Sequence, residues 1–445
     1  MTITYTTKDA YDLFHEGQIA FSQMESNGMR IDVPRLNKTI KKVEQRIIEL
    51  SAALKKDDVW KLWRRRFGQN TNMNSRPQLG VILFEEMEYK IKYRTATGKP
   101  SVDAEALSKV KLPFVKQYLE IGKLKKLLST NLKGVQRFVV NGYLHPSFNL
   151  NLVKTYRGSS SDINFQNIPI RDKLIGKLVR SCFIPSDNHV LAEVDFSSME
   201  FRCGACHWND PELVKYASDP ELDIHRDMAA ECFAMPLDQV TPEARFFAKN
   251  QFVFPQFYGS YYVPCAKNLW SAAGGLTLKD GQSVRENLAT QKITRTNFES
   301  HIKKVEEHFH ARFPIWLKKK DAWWNDYVRR GWFDMVTGFR VHGVYSRNQL
   351  MNFPVQGPAF HALLLSLILI NKWLLKNKMR SKIIGQIHDS IVFDIHSEEQ
   401  DGVLQKTKQV MTEEIRELWK WLVVPLDVDV EVSETNWYEK EAIKC

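Results

Sequence analysis

Two acids stand against apolar runs at distant points of this 445-residue chain. Asp195 closes the run Val190-Leu191-Ala192-Glu193-Val194, and Asp389 lies between Ile383-Ile384-Gly385-Gln386-Ile387-His388 and Ser390-Ile391-Val392-Phe393. A carboxylate among such residues is costly to bury unless it is paired or holds a cation. Either acid alone reads equally as a strand-end residue reaching solvent. As a pair, their oxygen donors suit magnesium, which keeps several waters and needs few protein ligands. Between them lies Arg245-Phe246-Phe247-Ala248-Lys249, a basic i, i+4 pair on one helical face. Such a face can grip phosphate oxygens, with Arg as a fork and Lys as a point charge, though the same spacing is common on solvated surfaces. The aromatic neighbours Phe252, Phe254, Phe257 and Tyr258 suit stacking on a base or packing in a core. Acids, cations and aromatics together point to in-line displacement at phosphorus. That chemistry is mostly positioning and charge neutralisation, commonly by two metals about 3.5–4 Å apart.

The elements that must hold these residues are set by pattern. Residues 33 to 57 carry apolar residues and lysines at helical spacing after Pro34, and residues 114 to 133 form a second basic helix with Lys123, Lys125, Lys126 and Lys133. A capped helix is expected over Gln78 to Phe84, and a polar loop over 91 to 101. Short strands begin near Tyr143, and His189 to Asp195 forms a strand. Residues 209 to 333 read as helical, broken at Gly274-Gly275, and strands return at Ile383–Ile395 and Val423–Val432. Helical, strand, helical and strand regions in that order indicate an α+β core with a helical insertion.

Composition narrows the partners. Sixty-three Lys+Arg against fifty-two Asp+Glu give a net charge of +11, which favours a polyanion, nucleic acid ahead of a membrane, or simply a basic enzyme. Six cysteines make no disulfide framework. Cys203-Gly204-Ala205-Cys206-His207 has the spacing of a haem attachment site, but small residues packing on a helix are the expectation. The longest apolar run, Ala362 to Ile370, is too short to span a bilayer, so a cytoplasmic protein is expected.

These residues resemble the motifs of family A DNA polymerases, of the bacterial DNA polymerase I type and especially its bacteriophage relatives. Asp195-Phe-Ser-Ser-Met-Glu200-Phe-Arg202 matches the first metal motif and Gln386-Ile-His388-Asp389 the second. The resemblance implies that Asp195 and Asp389 hold two Mg2+ ions, with Mn2+ able to substitute. It makes Glu200 the gate against a 2′-hydroxyl, and sets His388 near the primer end. Arg245, Lys249, Tyr258 and Gly259 match the nucleotide-binding helix, and Asp223-Ile-His225 the motif whose His225 touches the triphosphate. Arg157, Asn164 and Gln166 fall in a stretch similar to the minor-groove reader. Asn352 and Gln356 resemble the template- and primer-contacting segment, and Thr337 to Arg340 a hairpin that returns the chain to the palm. The matches run in order from about Ser22 to Trp437.

The same resemblance implies a right-hand polymerase with an antiparallel-sheet palm, helical fingers and a helical thumb. Its expected divisions are an N-terminal segment 1–32, thumb 33–135, palm 136–202 and 341–445, and fingers 203–340. The expected partners are primer-template DNA and dNTPs, with a separate exonuclease or processivity partner possible, and the expected state is a monomer in phage DNA replication. Three departures stand out. Ser390 occupies the place where Glu is usual, and Ser198 that where Gln is frequent. Lys249 and Tyr258 are nine positions apart where eight is usual, with Pro255 between. Proline there should kink the helix or force a bulge. Phe254, four before Tyr258, is the expected residue against the incoming sugar, and a phenylalanine implies discrimination against dideoxynucleotides. Tyr5-Thr-Thr-Lys-Asp9 is either the remnant of an exonuclease motif or a helix start, and no proofreading is expected. Two rivals remain: a related polymerase that prefers RNA templates or ribonucleotides, and a catalytically dead duplex-binding protein.

Overall fold

A computed structural model describes residues 5–91, 93–95, 97–170 and 172–443. Positions 92 and 96 of the expected loop lie outside them. At the centre is an antiparallel sheet of five strands, β1 (His189–Phe196), β2 (Lys382–Ile387), β3 (Ser390–His396), β4 (Val428–Ser433) and β5 (Glu441–Ile443), in the order β5-β4-β1-β3-β2. The central strand β1 buries Val190, Ala192, Val194 and Phe196 on one face, while Glu193 and Asp195 follow the buried Leu191 on the other, two residues apart. β3 is buried over nearly its whole length. β4 begins at Val428, because the expected start at Val423 falls in a turn-rich stretch after Trp419.

Helices cover the sheet. The 30-residue helix Arg347–Lys376 packs against β2 and β3, and Thr7–Asn27 packs along it and β2. They meet closely at Gly17, where a Cβ would lie 2.8 Å from Leu364 Cδ2. The long helix corrects the reading of residues 362–370 as an isolated short apolar run. It is long and apolar enough to cross a bilayer, with a mean hydropathy of 1.7 over its best window, yet 83% of that window is buried inside the protein. Periodicity alone does not separate a buried core helix from a spanning one.

The N-terminal third is helical, as expected. Val33–Lys56 starts at the Asp32 cap, and Pro113–Lys126 continues through a π-helical turn, Leu127–Leu132, into Lys133–Phe138. The capped helix runs Arg76–Val81 from Ser75 and then widens into a π turn, Ile82–Glu86. The first helix begins with a capping box in which Thr6 and Asp9 bond reciprocally, so Tyr5–Asp9 is a helix start. A third helical group runs from Met199–Trp208 to Pro314–Arg330 and ends in the hairpin Trp332–Asp334/Arg340–His342. Cys203 and Cys206 are buried and free, as expected for packing residues.

Candidate active site

Strand pairing places the two acids side by side. Asp195, next to last on β1, faces Ser390 on β3 and Asp429 on β4, and the Phe196 amide donates to the Asp389 carbonyl at 3.1 Å. His388 turns the β2–β3 hairpin with a positive φ of 50°, a conformation that costs a residue with a Cβ. That turn brings the Asp389 carboxyl into hydrogen-bond contact with Asp195. Burial, and then the charges of Asp389, Glu193 and Asp429, push the Asp195 carboxyl well up; burial likewise raises Asp389. Two like charges in such contact must share a proton or a cation. Their oxygens fit hard divalent metals. Among the described residues no group of three or more His, Cys, Asp and Glu is arranged to hold an ion.

Ser390 has a partner of its own. Its Oγ lies 3.0 Å from Glu193 Oε1 and 3.0 Å from the Ile387 carbonyl, and it is buried.

The nucleotide-binding helix expected around Arg245 begins at the Thr241 cap and runs Pro242–Ala248. A π-helical turn, Lys249–Val253, comes next, and then Phe254–Phe257. This turn absorbs the extra residue between Lys249 and Tyr258, just ahead of Phe254-Pro255, where the proline has no amide to donate. The phase is thereby restored: Lys249 Nζ sits 5.4 Å over the Phe254 ring, and Phe254 stacks on Tyr258 at 5.9 Å and 11°. The imidazole of His225, 5.7 Å from the Phe254 ring, is buried with neither nitrogen hydrogen-bonded. Burial, and then Lys249 and Arg245, lower its pKa to about 3, so it is neutral. Arg245 donates from Nε to Asp223 Oδ2 at 2.5 Å, while the other Asp223 oxygen caps the helix Ile224–Cys232.

Glu200 links this helix to the acids. The Tyr258 hydroxyl donates to Glu200, and Arg157 Nη1 approaches its other oxygen at 3.4 Å. Gln356, on the long helix, also bonds Tyr258. The charges of Glu200, His388 and Arg157 all act on Asp389, so these side chains surround one point. Gln166 donates to Gln386 Oε1 at 2.7 Å beneath the hairpin. Asn352 has a buried Oδ1 without a hydrogen-bond partner, and Asn164 is exposed before the turn Phe165–Asn167. A large cavity of about 1290 Å3, lined by Met73, Lys116, Lys126, Leu174 and their neighbours, lies elsewhere and contains none of these groups.

Sequence reasoning missed Glu193 under Ser390, Asp429 across from Asp195 on β4, and the pairing of Asp223 with Arg245. Strand alternation was the available signal for Glu193, an acid two positions before Asp195 and so on the same face.

The sequence profile of DNA polymerase family A matches residues 37–439. DNA polymerase I of Caldicellulosiruptor bescii is 30% identical over 430 residues, covering 94% of this chain and 46% of that protein. The thermostable DNA polymerase I of Thermus aquaticus is 29% identical over 435 residues, again 94% of this chain and 46% of the relative. The chain thus spans about half the length of these relatives. The polymerase domain of M. smegmatis Pol1, solved with DNA primer-template and dNTP, superposes with a TM-score of 0.75 at 24% identity, over 95% of this chain and 70% of that one. That likeness establishes the same fold.

Proposed function

Since the chain belongs to DNA polymerase family A, we propose that it extends a DNA primer by template-directed, two-metal nucleotidyl transfer from dNTPs. The contact between Asp195 and Asp389 across β1 and the β2–β3 hairpin carries this reading. In the reaction the primer 3′ oxygen bonds to the α-phosphorus, its proton leaves, and pyrophosphate departs. Asp195 and Asp389 would hold two magnesium ions, which supply charge neutralisation and a more acidic 3′-hydroxyl.

The chain's own residues do the rest by position. Lys249 and Arg245 present cations to the triphosphate, Arg245 after leaving Asp223. Neutral His225 offers a hydrogen bond there without adding a third charge. Phe254 forms the platform under the nucleotide, and Tyr258 with Glu200 closes the space that a 2′-hydroxyl would need. Arg157, Gln166, Asn164, Asn352, Gln356 and His388 line the path of the duplex end. Residues 33–135 act as the thumb on the phosphate backbone, 136–202 and 341–445 as the palm, and 203–340 as the fingers. The resemblance to bacteriophage members supports a monomer acting in phage replication in the host cytoplasm.

Primer extension with magnesium, comparing wild type with Asp195→Ala and Asp389→Ala, is the direct test. Extension by the wild type alone supports the assignment, whereas equal extension by all three proteins refutes it. Failure of all three favours a duplex-binding protein.

A further inference from the structure

The paired acids rest on a second, almost closed network. Glu193 lies on the same face of β1 as Asp195, and its side chain is only 14% exposed. One of its oxygens meets Ser390 Oγ at 3.0 Å; the other accepts from Trp437 Nε1 at 3.0 Å and from Lys440 Nζ at 2.5 Å. Lys440, 6% exposed, also pairs with Glu431, the residue opposite Glu193 on β4. Trp437 is clamped between the Phe165 ring, stacked at 5.1 Å, and the Arg180 guanidinium, 4.0 Å over its face. A buried carboxylate is tolerable only when so many donors satisfy it.

The link that leaves this network is Ser390. It is the β3 partner of Asp195, it comes directly after Asp389, and its Oγ also reaches the Ile387 carbonyl on the far side of the turn. The single Ser390 hydroxyl proton is shared between the strand that carries Asp195 and the turn that carries Asp389. Taking the functional reading above as given, we infer that Glu193, anchored by Lys440 and Trp437, is a positioning residue that sets the Asp195–Asp389 spacing through Ser390.

The experiment compares full-length wild type, Ser390→Ala, Ser390→Thr, Glu193→Gln and the Ser390→Ala/Glu193→Gln double variant. It measures Mn2+ binding by the electron paramagnetic resonance of the free ion, and single-nucleotide incorporation against magnesium. Ser390→Ala is expected to weaken Mn2+ binding and raise the magnesium midpoint by about tenfold, with the KM for dNTP changed less than about twofold and the melting temperature unchanged. Ser390→Thr keeps the hydroxyl and restores both readouts. The double variant should lose no more than the worse single one, because both changes cut one link. Wild-type Mn2+ affinity in Ser390→Ala, or losses that multiply in the double variant, would overturn the inference. A wild type that binds Mn2+ with this Ser390 dependence but extends no primer would sink the polymerase reading and leave the positioning role standing.

Discussion

The guanidinium of Arg245, on the helix Pro242–Ala248, lies 2.5 Å from the carboxylate of Asp223, which caps the helix Ile224–Cys232. The ion pair is partly exposed, with side-chain exposures of 40% and 26%, so it is worth at most about 1 kcal/mol. Such a bond can be exchanged for a triphosphate at small cost, and it keeps Arg245 pointed inward meanwhile.

Asp223→Asn should therefore lower the KM for dNTP by about two- to fivefold, since the asparagine still caps Ile224–Cys232 while releasing Arg245. Arg245→Ala should raise the same KM by about tenfold or more. Steady-state incorporation of a single nucleotide measures both. An unchanged KM in Arg245→Ala would remove this residue from the nucleotide site.

Asp195→Asn and Asp389→Asn should each reduce primer extension by about a thousandfold or more, the loss expected when transition-state charge is no longer neutralised. In metal-free buffer neither variant should melt below the wild type, because each relieves the contact between two carboxyls that burial and mutual repulsion already disfavour. Differential scanning calorimetry in EDTA makes the comparison. A clear drop in melting temperature would mean that the acids are structural.

Glu200 accepts from Tyr258 and Arg157 at once, which fixes it between the strand carrying Asp195 and the segment carrying Tyr258. Glu200→Ala removes the bulk and both bonds. The ratio of dNTP to rNTP incorporation should fall by about a hundredfold, the scale on which a pocket rejects an added hydroxyl. A ratio equal to that of the wild type would show that another residue excludes the 2′-hydroxyl.

Glu399 gives a pH-dependent test of the β2–β3 hairpin. Burial works to raise its carboxyl, but the Ser381 hydroxyl, the Arg380 and Ser381 amides and the Arg380 charge overrule it and hold the pKa at about 2. A depressed carboxyl contributes stability that is full above the unfolded value of about 4.3 and is lost as pH falls toward 2. Glu399→Gln should cost about 1–2 kcal/mol at pH 7, allowing for screening by nearby solvent, with the difference closing below pH 4. Urea unfolding at pH 7 and pH 2 reads it. A gap that persists at pH 2 would mean that packing, not the charge, is responsible.

The sequence by itself pointed to the chemistry. Asp195, Asp389, Arg245 and Lys249 stood out because a carboxylate beside an apolar strand, or cations one helical turn apart, are local patterns, whereas Glu200 and the role of Tyr258 came only from the resemblance to family A motifs. Local pattern also exposed the α+β order of elements and the helical N-terminal third. What only tertiary structure decided are relationships between segments far apart in the chain. The register that sets Asp195 opposite Ser390 and Asp429 depends on which strands pair, and no local window contains that information. The π turn at Lys249–Val253 was foreseen only as a kink or a bulge, because its form depends on the helices that hold Phe254 over Tyr258 and under Lys249. The partners of Glu193 were hidden for the same reason: Ser390, Trp437 and Lys440 reach it from two other parts of the chain. A buried charge acquires its meaning from the donors that fold around it.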